Sequence, residues 1–125
     1  MSLLLDTSIV LWWLAQAPRL SQELYDRLQT GAEPVYVSAA SVWEIEIKRV
    51  LGKLECPQDL EEQFANSQFL MLDMTARHAI LAGRLPPHHN DPFDRMMIAQ
   101  AQLERLTIVT SDARFQAYGV DLLMT

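Results

Sequence analysis

The chain has 125 residues, 50% of them hydrophobic and 21% charged, which suits one folded domain with a real core and is too short for two. Ten Lys+Arg against sixteen Asp+Glu leave a formal net charge of −6, which argues against a domain that holds nucleic acid mainly through its own positive charge. The single cysteine, Cys56, excludes an intramolecular disulfide and a cysteine-based zinc site, and it fits a reducing compartment.

Met1 to Ala17 is largely apolar, but no Lys or Arg precedes the run and Asp6 interrupts it, so the pattern of a secretory signal is missing. Later apolar stretches fall well short of the roughly 20 residues that span a bilayer. A cytoplasmic chain with no membrane association is the expectation.

Leu3-Leu4-Leu5 is a short continuous apolar run ending at Asp6, as expected for a strand buried on both faces. Ile9 to Ala15 reads as a helix closed by Pro18. Ser21 is placed to cap a second helix that carries Leu24, Tyr25 and Leu28 and stops at Gly31. Val35-Tyr36-Val37 is a second strand. After Ser38 a helix runs to about Leu51, with Val42, Ile45 and Lys48-Arg49 at helical spacing, and Gly52 ends it. Pro57 to Asn66 reads as a helix with a polar face, Phe69 to Leu72 as a third strand, and Thr75 to Leu85 as a helix. The loop Pro86-Pro87-His88-His89-Asn90 follows, and Asp91-Pro92 then opens a helix with Met97, Ile98 and Ala101 on one face. Thr107-Ile108-Val109 is a fourth strand and Val120 to Leu123 a fifth, separated by a short helical turn around Ala113 to Ala117. Strands alternating with helices predict a single α/β domain over residues 1–125. The architecture expected is a three-layer α/β/α sandwich around a mainly parallel sheet of about five strands.

In such sheets, ligands bind beyond the carboxyl ends of the strands. Asp6 ends the first strand and Asp112 follows the fourth; Glu44 lies in the helix after the second, and Asp94 in the first turn of the helix opened by Asp91. Four carboxylates gathered at one end of a sheet repel one another, and hard oxygen ligands of this kind suit Mg²⁺ or Mn²⁺. Taken singly, each acid has a plainer explanation. Asp6, Asp91 and Asp112 can cap helices, Asp94 can be the third residue of a capping box, and Glu44 can pair with Lys48 at i+4. Asp94, however, is in register with Met97, Ile98 and Ala101 and so faces the buried side, where a carboxylate needs a partner or a metal. Asp91 is accordingly read as the cap and Asp94 as a ligand.

Metal-dependent phosphodiester hydrolysis is the chemistry that suits this set. There is no Gly-rich phosphate loop or dinucleotide fingerprint, and Cys56 has no basic activator nearby. Ser41 and Ser111 have no obvious His partner, because His78, His88 and His89 fall on a helix and a loop elsewhere. The His88-His89 pair reads as solvated polar surface. The three tryptophans are assigned mainly to the core, with one of the adjacent Trp12 and Trp13 turned toward a surface.

Four segments stand in order over almost the whole chain. They are Leu3-Leu4-Leu5-Asp6-Thr7-Ser8 with Leu11-Trp12-Trp13-Leu14, then Ser38-Ala39-Ala40-Ser41-Val42-Trp43-Glu44-Ile45, then Asp91-Pro92-Phe93-Asp94-Arg95 leading into Ile98-Ala99-Gln100-Ala101, and Thr110-Ser111-Asp112. Together they resemble the PIN-domain ribonucleases, and among these the VapC-like toxins of bacterial type II toxin–antitoxin pairs. The resemblance implies a metal-dependent endoribonuclease with Asp6, Glu44, Asp94 and Asp112 as its acidic cluster. Asp6 and Asp94 would be the direct ligands of Mg²⁺ or Mn²⁺. Glu44 and Asp112 would hold the metal through water or position the attacking water, with Thr110 or Ser111 supporting the cluster by hydrogen bonding.

The same resemblance implies a homodimer, neutralised by a cognate antitoxin whose tail covers the acidic pocket. Asp91 also matches the motif. Relatives of this type often carry His where Ser8 stands, so Ser8 receives no role. Lys48, Arg49, Lys53 and Arg95 are candidate RNA contacts. For the first three the plain alternative is a helix end that favours cations, and for Arg95 it is a carboxylate partner. Two other classes compete. A doubly wound phosphatase is disfavoured, because Asp6-Thr7-Ser8 lacks a second Asp and no Lys follows the fourth strand at a phosphate-binding position. A non-catalytic PIN-like binding module, or an RNA-processing nuclease without an antitoxin, is the alternative to the toxin.

Overall fold

Leu3–Leu5 (β1) lies at the centre of the sheet in the computed structural model, which describes residues 1–125. All three leucines are fully buried, because the strand has a neighbour on each side and helices over both faces. Leu3 and Leu5 enter one core and Leu4 the other, the alternation a pleated strand imposes. β2 (Val35–Ser38) and β3 (Leu70–Leu72) lie to one side, and β4 (Thr107–Thr110) and β5 (Leu122–Met124) to the other. The order is β3-β2-β1-β4-β5, with every neighbouring pair parallel. This is the expected three-layer architecture, with a sheet that is wholly rather than mainly parallel.

On one face, α1 (Thr7–Ala15), α2 (Gln22–Gln29), α3 (Ala39–Val50) and α4 (Leu60–Asn66) bury Ile9, Leu24, Leu28, Ile45 and Phe64. On the other, α5 (Ala76–Arg84), α6 (Pro92–Glu104) and a 3₁₀ turn over Ala113–Tyr118 bury Ala82, Met97, Ile98 and Phe115. No helix is long and apolar enough to cross a membrane. The helix starts follow the capping chemistry of the sequence. Ser21 accepts the Leu24 N–H at 3.2 Å, Ser38 that of Ala40 at 3.0 Å, and Asp91 those of Phe93 and Asp94 at 2.9 and 3.0 Å. Ser38 Oγ also donates to Gln100 Oε1 at 2.7 Å, tying the end of β2 to α6 inside the protein.

Several boundaries shift slightly from the sequence expectation, and two of the shifts have a visible cause. α4 begins at Leu60 rather than Pro57, because the Arg49 guanidinium binds the carbonyls of Cys56 and Pro57, each at 2.7 Å, and holds that segment outside the helix. β5 begins at Leu122 rather than Val120, since Gly119 ends the 3₁₀ turn at φ 67° and pairing with β4 resumes only at the Asp121 carbonyl.

A second arginine fixes the loop between α5 and α6. The Arg95 guanidinium donates to the carbonyls of Ala82 and Leu85, both at 2.8 Å, and to those of Pro86 and His89 at 3.0 and 3.2 Å. Tyr118 adds two bonds of 2.8 Å, donating to the Pro86 carbonyl and accepting the His89 N–H. Arg95→Ala should therefore destabilise the fold by about 3 kcal/mol in urea unfolding, through the loss of charge-assisted bonds to carbonyls. A loss below roughly 0.5 kcal/mol would show that the loop holds itself.

Candidate active site

The chain winds outward from β1 to β3 in one direction and from β4 to β5 in the other, so a crevice opens where β1 and β4 end side by side. Asp6 stands one residue past β1, and Asp112 two residues past β4. Glu44 lies in the second turn of α3, and Asp94 in the first turn of α6, which packs against α3. Asp6, Glu44, Asp94 and Asp112 all line one cavity of about 360 Å³, together with Asp91, Ser8 and Ser111. A second cleft of about 400 Å³, beside Trp13 and Tyr25, is lined by uncharged groups such as Gln16, Gln63 and Gln68 and offers neither an acid nor a base.

The four acids sit in unlike surroundings. Asp6 occupies the cap position of α1 but makes no side-chain cap bond; its Oδ2 instead accepts the Thr110 hydroxyl at 2.7 Å. Thr110 Oγ1 in turn accepts the Asp112 N–H at 3.0 Å, so one hydroxyl ties the two strand ends together. Burial raises the Asp6 carboxyl above its ordinary value; the Thr110 bond opposes that shift, and the charges of Glu44 and Asp112 reinforce it. Asp94 is pushed up to about 8, first by burial and then by the charges of Asp6, Asp91, Glu44 and Asp112.

Glu44 Oε2 accepts from Lys48 Nζ at 3.0 Å, while its Oε1 is buried with no hydrogen-bond partner. Asp112 is more open. Arg114 grips both of its oxygens at 2.7–3.1 Å and holds its carboxyl below the ordinary value. Asp112 also caps the 3₁₀ turn through the Arg114 N–H, and Asp91 caps α6, so for these two the capping explanation holds as geometry.

The basic residues divide differently from the sequence expectation. Lys48 lines the cavity. Arg49 does not: its guanidinium binds the Cys56 and Pro57 carbonyls and Glu46. Arg95 is engaged with four carbonyls, and Lys53 lies beyond the end of α3, outside the cavity. Arg19 and Arg114 take their place at the rim, Arg19 with its guanidinium 5.4 Å from the Trp12 ring centroid. Trp12 and Trp13 are both half-buried against the core; Trp13 stacks on Tyr25 at 4.6 Å with Nε1 donating to Ser67. Trp43, assigned to the core from sequence, is instead 58% exposed against the edge of Phe93.

His89 is the residue that the sequence reading missed. It is not solvated surface: it is 4% exposed, with Nε2 2.7 Å from Asp94 Oδ2 and 3.9 Å from Asp112 Oδ2. One ligand atom from each of His89, Asp94 and Asp112 falls within 4.8 Å of the others. The signal available in the sequence was its place on the short loop that delivers Asp91 and Asp94, two and five residues upstream of them. His88, its neighbour, is the exposed member of the pair and lies edge-on to Tyr118.

The PIN domain family model matches residues 3–121. No curated protein matches the chain by sequence. Among solved structures, DNA-bound VapBC from Salmonella typhimurium superposes with a TM-score of 0.73 at 18% identity, over 99% of this chain and 98% of that one. FitAcB from Neisseria gonorrhoeae gives 0.67 at 24% identity, over 97% and 96%. A toxin–antitoxin complex from Klebsiella pneumoniae gives 0.68 at 17% identity, over 98% and 97%. At these identities the likeness to solved structures is one of fold. The family model adds the sequence pattern and spans nearly the whole chain, and on that match the chain belongs to the PIN domain family.

Proposed function

We propose that the protein is a divalent-metal-dependent endoribonuclease and the toxin of a toxin–antitoxin pair. The observation that carries the nuclease reading is the convergence of Asp6, Glu44, Asp94 and Asp112 on one cavity at the β1–β4 crevice. A buried Glu44 oxygen with no donor and an Asp94 pushed up to about 8 mark a site short of positive charge. Hard oxygens in this number fit Mg²⁺ or Mn²⁺. Asp6 and Asp94 would hold the ion directly; Glu44 and Asp112 would hold it through water or orient the attacking water. When bound, the ion supplies an activated water and stabilises charge on the phosphorane oxygens.

The other residues serve this arrangement. Thr110 holds the Asp6 carboxylate against the end of β4, and Asp91 fixes the first turn of α6 from which Asp94 projects. Ser111 lies at the cavity wall, where its hydroxyl would support the cluster. Lys48, Arg19 and Arg114 ring the acids, so an RNA phosphate meets positive charge at the rim although the chain carries a formal −6. The toxin reading is supported by the shared fold with VapBC, FitAcB and the Klebsiella toxin–antitoxin complex, over nearly the full length of each. It carries with it a cytoplasmic homodimer neutralised by an antitoxin.

Purified protein should cut total cellular RNA, tRNA included, into discrete fragments with Mg²⁺ or Mn²⁺ and not with chelator. Asp94→Asn should slow the cut at least about 100-fold. Silence in every lane, or equal cutting by the variant, would instead favour a non-catalytic PIN-like binding module.

The metal reading also fixes a pH dependence. Between about pH 4 and pH 8, the folded protein keeps a proton on Asp94 that the unfolded chain has released. The stability of the metal-free protein is therefore greatest at the acid end of that window and falls as pH rises, by up to about 1.4 kcal/mol per pH unit. Mg²⁺ or Mn²⁺ should flatten the fall by replacing the proton. Thermal melts from acid to alkaline pH, with and without the ion, check this; midpoints indifferent to metal at every pH would sink the site.

A further inference from the structure

We propose that His89 is a positioning residue of this site. Its Nε2–H is the donor that orients the Asp94 carboxyl group beside Asp112, and the imidazole is not itself a metal ligand. The inference rests on the acidic cavity being the metal site proposed above, and it assigns work to a residue outside that ligand set.

The residue is held on several sides. Phe115 lies edge-on to it at 6.0 Å, the backbone N–H donates to Tyr118 Oη at 2.8 Å, and the carbonyl accepts from Arg95 at 3.2 Å. His89 Nδ1 accepts the Asp91 N–H at 3.3 Å. Because Nδ1 accepts from an amide N–H, its lone pair is in use and the ring proton sits on Nε2. That nitrogen is buried 2.7 Å from Asp94 Oδ2 and 3.9 Å from Asp112 Oδ2, yet neither oxygen gives it a well-aligned hydrogen bond. A buried donor without an acceptor is costly, and a turn of the Asp94 carboxylate completes the bond.

By distance alone, His89, Asp94 and Asp112 would enclose a cation. The tautomer argues otherwise, because a ring nitrogen that carries a proton has no in-plane lone pair to offer a metal. Placed as a donor, the same nitrogen fixes the orientation of the acid from α6 next to the acid from beyond β4, which Arg114 already grips. It also leaves their remaining lone pairs turned to the cavity. Outer groups that orient metal-binding carboxylates in this way act on affinity as ligands do, at one remove. The other buried histidine has a separate use: His78 closes the α5 capping box with Thr75 and meets Glu104 at 2.9 Å.

The test begins on metal-free protein. A ¹⁵N side-chain correlation spectrum, with His89 assigned by comparison with His89→Gln, should show the ring proton on Nε2, and Mg²⁺ should leave it there. Calorimetric titration should find Mg²⁺ and Mn²⁺ affinity weakened roughly 10- to 100-fold by His89→Leu. His89→Gln, whose amide N–H reaches the same place, should recover most of that loss. Pulsed EPR of the Mn²⁺ form should show no directly bonded nitrogen. A proton on Nδ1, or nitrogen bonded to Mn²⁺, would make His89 a ligand and overturn the proposal. Unchanged affinity in a folded His89→Leu variant would reduce the ring to packing and overturn it equally. Wild-type protein that takes up neither ion would fail the nuclease reading instead, and the metal-free spectrum would then decide the hydrogen bond by itself.

Discussion

Repulsion among carboxylates in a crevice partly closed to water is the constraint that the rest of this structure answers. At short range in a medium less polar than water, like charges cost far more than on an open surface. The fold meets that cost with a different device for each acid. Thr110 donates to Asp6, Lys48 neutralises one oxygen of Glu44, Arg114 grips Asp112, and Asp94 retains its proton up to about pH 8. What is left without a partner, Glu44 Oε1 and His89 Nε2, lies at this one site. The third such atom, Arg49 Nε, belongs to a guanidinium whose other nitrogens are already bonded to the chain.

The scaffold that brings the acids together is held by buried polar contacts as well as by apolar packing. Ser38 ties the end of β2 to Gln100 of α6, and both groups are fully buried. Thr7 donates to Ser41 at 2.9 Å, and Ser41 in turn lies 3.4 Å from Met97 Sδ, so α1, α3 and α6 are joined in sequence. These contacts set Asp6, Glu44 and Asp94 relative to one another. In a dry interior such bonds are demanding, because each group left unpaired costs free energy, and that demand narrows the arrangements open to the three helices.

The acidic balance of the chain is compatible with the proposed nuclease once the cations are followed in space. Of the basic residues noted in the sequence, Arg49 and Arg95 bind carbonyls and serve the fold. Lys48 stays at the cavity, where it is joined by Arg19 over Trp12 and by Arg114. The cavity thus carries cations as well as acids in its wall, with Lys48 paired to Glu44 and Arg114 to Asp112. On the nuclease reading proposed above, these are the cations that an RNA phosphate would meet at the cavity.

The sequence by itself determined the strands, the caps at Ser21 and Asp91, and the placing of four acids just beyond strand ends or early in helices. Each of these is a local property, set by alternation, helical period or a side chain's reach to the next few N–H groups. It also marked Asp94 as facing inward, because helical register is local too. Only the tertiary structure decided that His89 is buried against Asp94, that Arg49 and Arg95 turn inward, and that Trp43 is left exposed. A loop histidine looks the same in sequence whether it meets solvent or a carboxylate. The outcome depends on how Arg95 and Tyr118 fix the loop against α6, which are contacts between segments that no local pattern records.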